Sequence, residues 1–134
     1  MCSSDLRFTW GNALPVADRA GNFAGAEAMR LVETELPGYR DDYIVVAPVG
    51  KFRPNALGLH DMAGNLSEWV NDFYLSFVDS SAATDPLGPE QSGRHAIRGG
   101  NWKSTSVSEL RLAWRNSADG PDQTIGFRMA RYAE

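Results

Sequence analysis

Apolar and polar positions alternate over short stretches in the second half of the chain. Leu110–Arg115 and Ile125–Tyr132 place apolar side chains at every second position, with arginines between them. This two-residue period is typical of a strand with one buried face. We predict short strands there and over His95–Trp102, where Gly99 and Gly100 indicate a bulge or a close approach of the backbone.

The first half carries one helical pattern and one strand-like run. Ala26–Leu36 spaces its apolar residues at helical intervals and stops before Pro37, which predicts a short amphipathic helix. Tyr43–Val46 is rich in β-branched residues and predicts a short strand. Ser80–Gly93 is rich in Ser, Ala, Asp, Pro and Gly, so we expect a long surface loop there.

The central stretch Gly58–Trp69 holds two acids, Asp61 and Glu68, around a Gly-Asn pair. A tight turn of this kind aims carbonyl oxygens and carboxylates at one point, which suits a hard cation. An alternative is that Asn65 caps a helix, because an acid follows it three residues later. The periodicity of Leu66–Tyr74 fits either a helix or a strand.

Six further motifs accompany this stretch, whose pattern is G-L-x-D-M-x-G-N-x-x-E-W. They are Trp10–Asn12, Ala47–Gly50, Asp85–Pro89, Arg98–Trp102, Arg111–Arg115 and Ile125–Arg128. Together and in this order they resemble the signature of the formylglycine-generating enzyme family, also called the sulfatase-modifying factor family. The resemblance runs from about Phe8 to the C-terminus.

The resemblance implies an α+β, C-type-lectin-like fold, in which a small twisted antiparallel sheet is wrapped by long irregular loops. It favours a strand over Leu66–Tyr74. Residues 1–7 match nothing in the family, and the family's opening R-L-P-T-E-A-E-W-E segment has no counterpart. We therefore expect residues 8–134 to be the C-terminal portion of such a domain, lacking an N-terminal strand and prone to self-association through its C-terminal strand.

The resemblance also implies structural calcium. Its first ligand set maps to the Asn22 and Asp41 side chains and the Phe23 and Tyr43 carbonyls. Its second set maps to the Asp61 and Glu68 side chains with the carbonyls of Gly64 and Leu66. Both sets contain only oxygen ligands, as Ca²⁺ prefers. The alternative is that Asp41 and Asp61 only cap turns.

The family's enzymes convert a sulfatase cysteine to formylglycine with two cysteines that bind copper shortly after the R-G-G-S-W motif. Here that segment, Lys103–Glu109, contains no cysteine, and Cu(I) requires soft thiolate ligands. We expect no copper and no catalytic residue. The ligand pocket that the resemblance implies maps to four residues, of which the first two depart from the family's usual types: Ser67, Asn101, Trp102 and Arg115.

The amino-acid composition limits the classes of partner that the chain can bind. The net charge is −4 and the pI about 5.1, without the basic footprint that nucleic-acid binding requires. No apolar run approaches a membrane span. The single Cys2 excludes an internal disulfide and leaves the compartment open.

The sequence therefore predicts a calcium-stabilised binding or accessory module with a peptide or protein ligand. One alternative is part of an oxidoreductase of the family, related to its iron-dependent sulfoxide synthases, with a redox centre outside this chain. Iron inside this chain would need a histidine cluster, and the two histidines, His60 and His95, lie in separate motifs. A second alternative is a ligand-display protein on the same scaffold.

Overall fold

The computed structural model of the chain describes residues 6–76 and 93–131. Its sheet has four strands in the order β3-β2-β1-β4. These strands are β1 (Ser67–Phe73), β2 (His95–Arg98), β3 (Asn116–Ala118) and β4 (Ile125–Gly126). Long irregular segments surround this small sheet.

Strand β1 is the central element of the sheet. It runs antiparallel to β2, with Trp69 opposite Ile97, and a bulge interrupts the register before Phe73. On its other side it runs parallel to β4, with Ser67 opposite Ile125. The sheet is thus mixed, whereas the sequence predicts an antiparallel one. The strand predicted over Leu66–Tyr74 is confirmed.

The core lies between the irregular first half of the chain and the residues near β1. It contains seven buried side chains: Phe8, Val16, Phe23, Leu36, Tyr39, Ala63 and Leu110. Phe23 is its centre, because its ring contacts Trp10 edge-on at 6.0 Å and Tyr39 at 5.5 Å between centroids. Trp10 in turn stacks on Phe8.

The predicted helix over Ala26–Leu36 is wrong in extent. A single 3-10 turn, Ala26–Ala28, forms, and Met29 is exposed. The Leu36 N–H donates to the Ala24 carbonyl at 2.7 Å, so this residue is fixed by a distant part of the chain. A helix of three turns is marginal in water on its own. The hydrogen bond from Leu36 to Ala24 holds the end of the segment in a non-helical conformation.

The predicted strand over Tyr43–Val46 is also wrong. The segment belongs to no strand, and Ile44, Val45 and Val46 are exposed. The Val45 carbonyl accepts a hydrogen bond from Asn22 Nδ2 at 2.6 Å. A high β-propensity reflects packing in a sheet, and here a side-chain amide takes the place of a partner strand.

The strand predicted over Leu110–Arg115 lies elsewhere: the segment forms turns, and β3 follows it at Asn116–Ala118. Leu110 is buried in the core, and the Leu112 N–H donates to the Arg7 carbonyl, which breaks the alternation. The strands predicted over His95–Trp102 and Ile125–Tyr132 form only in part, as β2 and β4.

Gly99 and Gly100 end β2 with positive φ angles of 91° and 65°. The Gly99 carbonyl accepts a hydrogen bond from the Gly64 N–H at 2.7 Å, which is the close backbone approach that the sequence predicts. Most of the predicted loop Ser80–Gly93 lies outside the described residues.

Candidate calcium sites and ligand cavity

Asn22, in the first predicted calcium set, contacts the turn Gly64–Asn65, whose Gly64 belongs to the second set. The Asn65 N–H donates to the Asn22 carbonyl at 2.8 Å, and Asn22 Nδ2 donates to Asn65 Oδ1 at 3.1 Å. Gly64 has a φ of 77°, and a Cβ there would collide with the Asn22 backbone. Only glycine therefore lets these two segments meet.

Asn65 does not cap a helix, because β1 follows it. Its φ is 66°, and its side chain is buried. Asn65 Oδ1 accepts from the Ala47 N–H at 2.8 Å, and Nδ2 donates to the Ala47 carbonyl at 3.1 Å. The asparagine thereby substitutes for a strand partner of Ala47.

The four residues of the first predicted calcium set lie together. Asp41 is fully buried. Its Oδ2 accepts from the Phe23 N–H, and its Oδ1 from the Tyr43 N–H, each at 2.8 Å. Asn22, next to Phe23 in the chain, is also fully buried.

The Asp41 carboxyl carries an unfavourable charge in this place. Burial raises its pKa from 3.8 to about 6, against the two N–H donors that lower it, and the acids Glu27 and Asp42 raise it further. A buried carboxylate normally has a cation beside it. A cation at this place would relieve the cost of burial.

The residue types at this first set are ones that calcium binds. Asn22 Oδ1 is a buried oxygen without a hydrogen-bond partner, and it belongs to the residue whose side chain the resemblance names as a ligand. An amide oxygen, a carboxylate and nearby carbonyls are the ligands that Ca²⁺ takes.

The second set lines a cavity of about 340 Å³, which contains Asp61, Gly64, Leu66 and Glu68 in its wall. Asp61 Oδ1 is buried without a partner, whereas Oδ2 accepts from the Gly50 N–H at 2.6 Å. The Glu68 carboxylate, however, is paired with Arg128: Nη2 lies 2.7 Å from Oε1, and Nε lies 3.0 Å from Oε2. With this guanidinium in place, the donors do not fit a calcium ion.

Another cavity, of about 320 Å³, brings Ser67 and Asn101 together. Asn101 Nδ2 donates to Ser67 Oγ at 3.0 Å, and Ser67 Oγ donates to the Gly100 carbonyl at 3.1 Å. Charged and polar side chains complete its wall, among them Lys103, Ser104, Glu109 and Asp122. We refer to it as the Ser67 cavity.

Trp102 and Arg115, the other two pocket candidates, do not line the Ser67 cavity. Trp102 is buried, and the Lys103 ammonium lies 4.9 Å from the centre of its ring. The Arg115 guanidinium lies 5.9 Å from the ring of Tyr74. Both residues belong to motifs of the sequence, but membership of a motif does not show which cavity a side chain lines.

Histidines take no part in a metal cluster among residues 6–76 and 93–131, where no three His, Cys, Asp or Glu side chains are grouped to hold an ion. His60 Nδ1 lies 2.9 Å from the Phe52 carbonyl. His95 stacks on Phe73 at 4.4 Å. Within the same described residues, no helix has the length and apolar character that a membrane crossing demands.

The mixed sheet, the long loops and the placement of the core define a C-type-lectin-like fold of the α+β class. Residues 2–133 match the model of the Sulfatase-modifying factor enzyme 1-like domain. The chain belongs to this family, the one whose motifs it carries.

Curated relatives include two kinds of protein. The chain is 44% identical over 89 residues to the serine/threonine-protein kinase Pkn1 of Chlamydia trachomatis, a match that covers 63% of this chain and 14% of the kinase. It is 31% identical over 135 residues to the formylglycine-generating enzyme of Thermomonospora curvata, covering 92% of this chain and 42% of the enzyme. The chain thus spans less than half the length of these relatives.

Two solved structures have a similar fold. Treponema denticola variable protein 1 superposes with a TM-score of 0.58 at 26% identity, over 65% of this chain and 32% of the other. PvdO from Pseudomonas aeruginosa superposes with a TM-score of 0.57 at 27% identity, over 87% of this chain and 41% of the other.

Proposed function

We propose that this domain is a binding or accessory module of its family, without the copper-dependent oxidation of cysteine. One observation carries the proposal: the segment where the resemblance places the copper-binding cysteines contributes Lys103, Ser104 and Glu109 to the Ser67 cavity. These side chains offer hydrogen bonds and charge to a ligand. They are not the soft thiolates that Cu(I) requires.

The relatives support a module that works beside another activity. In the Chlamydia trachomatis kinase, the matching segment is 14% of a protein named for phosphorylation of serine and threonine. A domain of this family therefore stands inside a longer protein with a different named activity. We infer that the Ser67 cavity binds a peptide or protein segment by polar contacts.

The test uses a Cys-containing sulfatase peptide as probe, with the isotope-labelled full chain. Mass spectrometry of the peptide after incubation with copper and oxygen is expected to show no aldehyde. Amide signals of Ser67, Asn101 and Lys103 are expected to shift on titration if the cavity retains the family's peptide site. Asn101→Leu should remove these shifts, whereas Asn71→Leu, an exposed position on β1, should not.

Two results would overturn the proposal. Formation of the aldehyde product would show that the chain is an oxidase without the expected thiolates. Binding of the peptide with shifts confined to residues remote from the Ser67 cavity would show that the ligand site lies elsewhere.

We further propose that calcium occupies the set formed by Asn22, Phe23, Asp41 and Tyr43 and stabilises the fold. The unpartnered Asn22 Oδ1 and the buried Asp41 carboxylate support this. An ion that binds only the folded state adds about 2.7 kcal/mol at a hundred times its dissociation constant. Its role there would be to crosslink two loops that the small sheet does not hold.

Thermal melting in chelator and in millimolar calcium tests this second part. The wild-type chain should melt at a higher temperature in calcium. Asp41→Asn should abolish that rise, because it removes the charged ligand, while Asp72→Asn on exposed β1 surface should retain it. An equal response of the two variants would place the ion elsewhere.

A further inference from the structure

Arg128 occupies the cavity where the resemblance places a second calcium ion. Its Nε and Nη2 atoms donate to both oxygens of Glu68, at 3.0 and 2.7 Å. Nη2 also lies 3.0 Å from the His60 carbonyl and 3.3 Å from the Asp61 carbonyl. One guanidinium group thus gathers a carboxylate from β1 and two carbonyls from the turn before it.

These contacts perform the task of a bound cation. Calcium would link the same loop to the same strand through oxygen ligands, and Arg128 does so through charge-assisted hydrogen bonds in a fixed fork. The side chains of Arg128 and Glu68 are 37% and 24% exposed, so both are partly withdrawn from water. Because both Glu68 oxygens already accept from Arg128, an ion would have to displace it.

We propose that Arg128 is the built-in cation of this cavity, so that the chain takes up calcium at the Asn22–Asp41 set and not at Glu68. The guanidinium replaces the second calcium ion. The link between β1 and the turn at His60 and Asp61 therefore does not depend on calcium. The proposal concerns only the cavity lined by Glu68 and Arg128. It rests on the proposed function only for the calcium ion expected at the first set.

The cavity keeps the elements of an ion site beneath the arginine. Asp61 Oδ1 is buried without a partner, and Gly64 and Leu66 line the same wall. Removal of the guanidinium would leave two carboxylates, Asp61 and Glu68, facing a cavity of about 340 Å³. Two carboxylates with adjacent carbonyls favour Ca²⁺. Loss of Arg128 should therefore create a calcium site.

Calorimetric titration of the chelator-stripped full chain with calcium chloride tests this. The wild-type chain should bind a single ion, and Arg128→Gln should bind one more. The double variant Arg128→Gln with Glu68→Gln should return to the wild-type number. Arg131→Gln, at an exposed arginine on the same segment, serves as the matched control and should leave the number unchanged.

The variant Glu68→Gln alone keeps the test decisive should Arg128→Gln fail to fold. Calcium stoichiometry and affinity should be unchanged in it, because Glu68 binds Arg128 and not the ion. A wild-type chain that binds two ions, or a Glu68→Gln variant that loses one, would overturn the proposal. So would Arg128→Gln without a gained ion. If the wild-type chain binds none and Arg128→Gln binds one, the first calcium site is wrong and the role of Arg128 stands.

Discussion

Asn22 and Asn65 are hydrogen-bonded to each other twice, once through the backbone and once through their side-chain amides. This relationship joins the loop that carries the first predicted calcium set to the turn that precedes β1. Asn65 also satisfies both backbone groups of Ala47. The side chain of Asn65 therefore holds three separate segments of the chain in one place.

Asn65→Ala should lower the free energy of unfolding by roughly 2–4 kcal/mol, because it leaves buried N–H and C=O groups without partners. Alanine also tolerates the left-handed backbone of this position less well than asparagine. Urea denaturation measures the change. Asn71→Ala, on the exposed surface of β1, is the control and should cost much less. Equal losses in both variants would show that the Asn65 network contributes little.

Tyr39→Phe should destabilise the chain by about 1–3 kcal/mol. The buried Tyr39 hydroxyl donates to the Gly21 carbonyl and accepts from the Gly21 N–H, and burial is the main cause that raises the pKa of this phenol. Phenylalanine keeps the ring in the core and removes only these two bonds. Tyr74→Phe, at a half-buried position, provides the comparison in the same urea experiment. A Tyr39→Phe chain as stable as wild type would refute this account of the core.

Stability without calcium should fall as the pH rises from about 4 to about 6. The Asp41 pKa is about 6 in the folded chain against 3.8 ordinarily, so the folded state binds this proton more tightly. The folded state therefore loses an advantage of roughly 3 kcal/mol as pH passes through this window. Urea titrations in chelator at several pH values, compared with Asp41→Asn, isolate the effect. The prediction fails if the two chains follow the same pH profile.

The full chain should self-associate through β4. This strand lies at one end of the sheet order, and the Phe127 and Met129 side chains that follow it are 76% and 87% exposed. Exposed edges with apolar side chains favour pairing between chains. Light scattering should show that Met129→Lys reduces association, while Met29→Lys, at another exposed methionine, does not. A monodisperse wild-type monomer would exclude this interface.

Local pattern predicted the fold only where tertiary contacts agree with it. The period of Leu66–Tyr74 fits two structures, and the family motifs rather than the period favoured the strand that forms. Ala26–Leu36 has a helical period, yet a hydrogen bond from Leu36 to Ala24 overrides it. Tyr43–Val46 has strand propensity, but its Val45 carbonyl accepts a hydrogen bond from the Asn22 side chain and not from a partner strand. Periodicity contains no information about these distant partners.

The resemblance named Asn22, Phe23, Asp41 and Tyr43 as one ligand set, and the structure places Asp41 against the backbone of Phe23 and Tyr43. Calcium binding there stays a prediction. The ion pair between Arg128 and Glu68 was not predicted, because the two residues lie 60 positions apart in the chain. The closing G-F-R motif contains this arginine, and the central motif contains Glu68, so both partners of the pair lie in motifs of the sequence. No spacing rule links the two.

The parallel pairing of β1 with β4 has a consequence for synthesis on the ribosome. Ser67 and Glu68 pair with Ile125 and Gly126, which are translated after every other strand of the sheet. Until they emerge, one edge of β1 has no partner strand within the described sheet, and the Glu68 carboxylate lacks its hydrogen bonds from Arg128. Domains fold as units once their sequence is available, so the nascent chain carries an open edge of β1 until the last strand of the described sheet is translated.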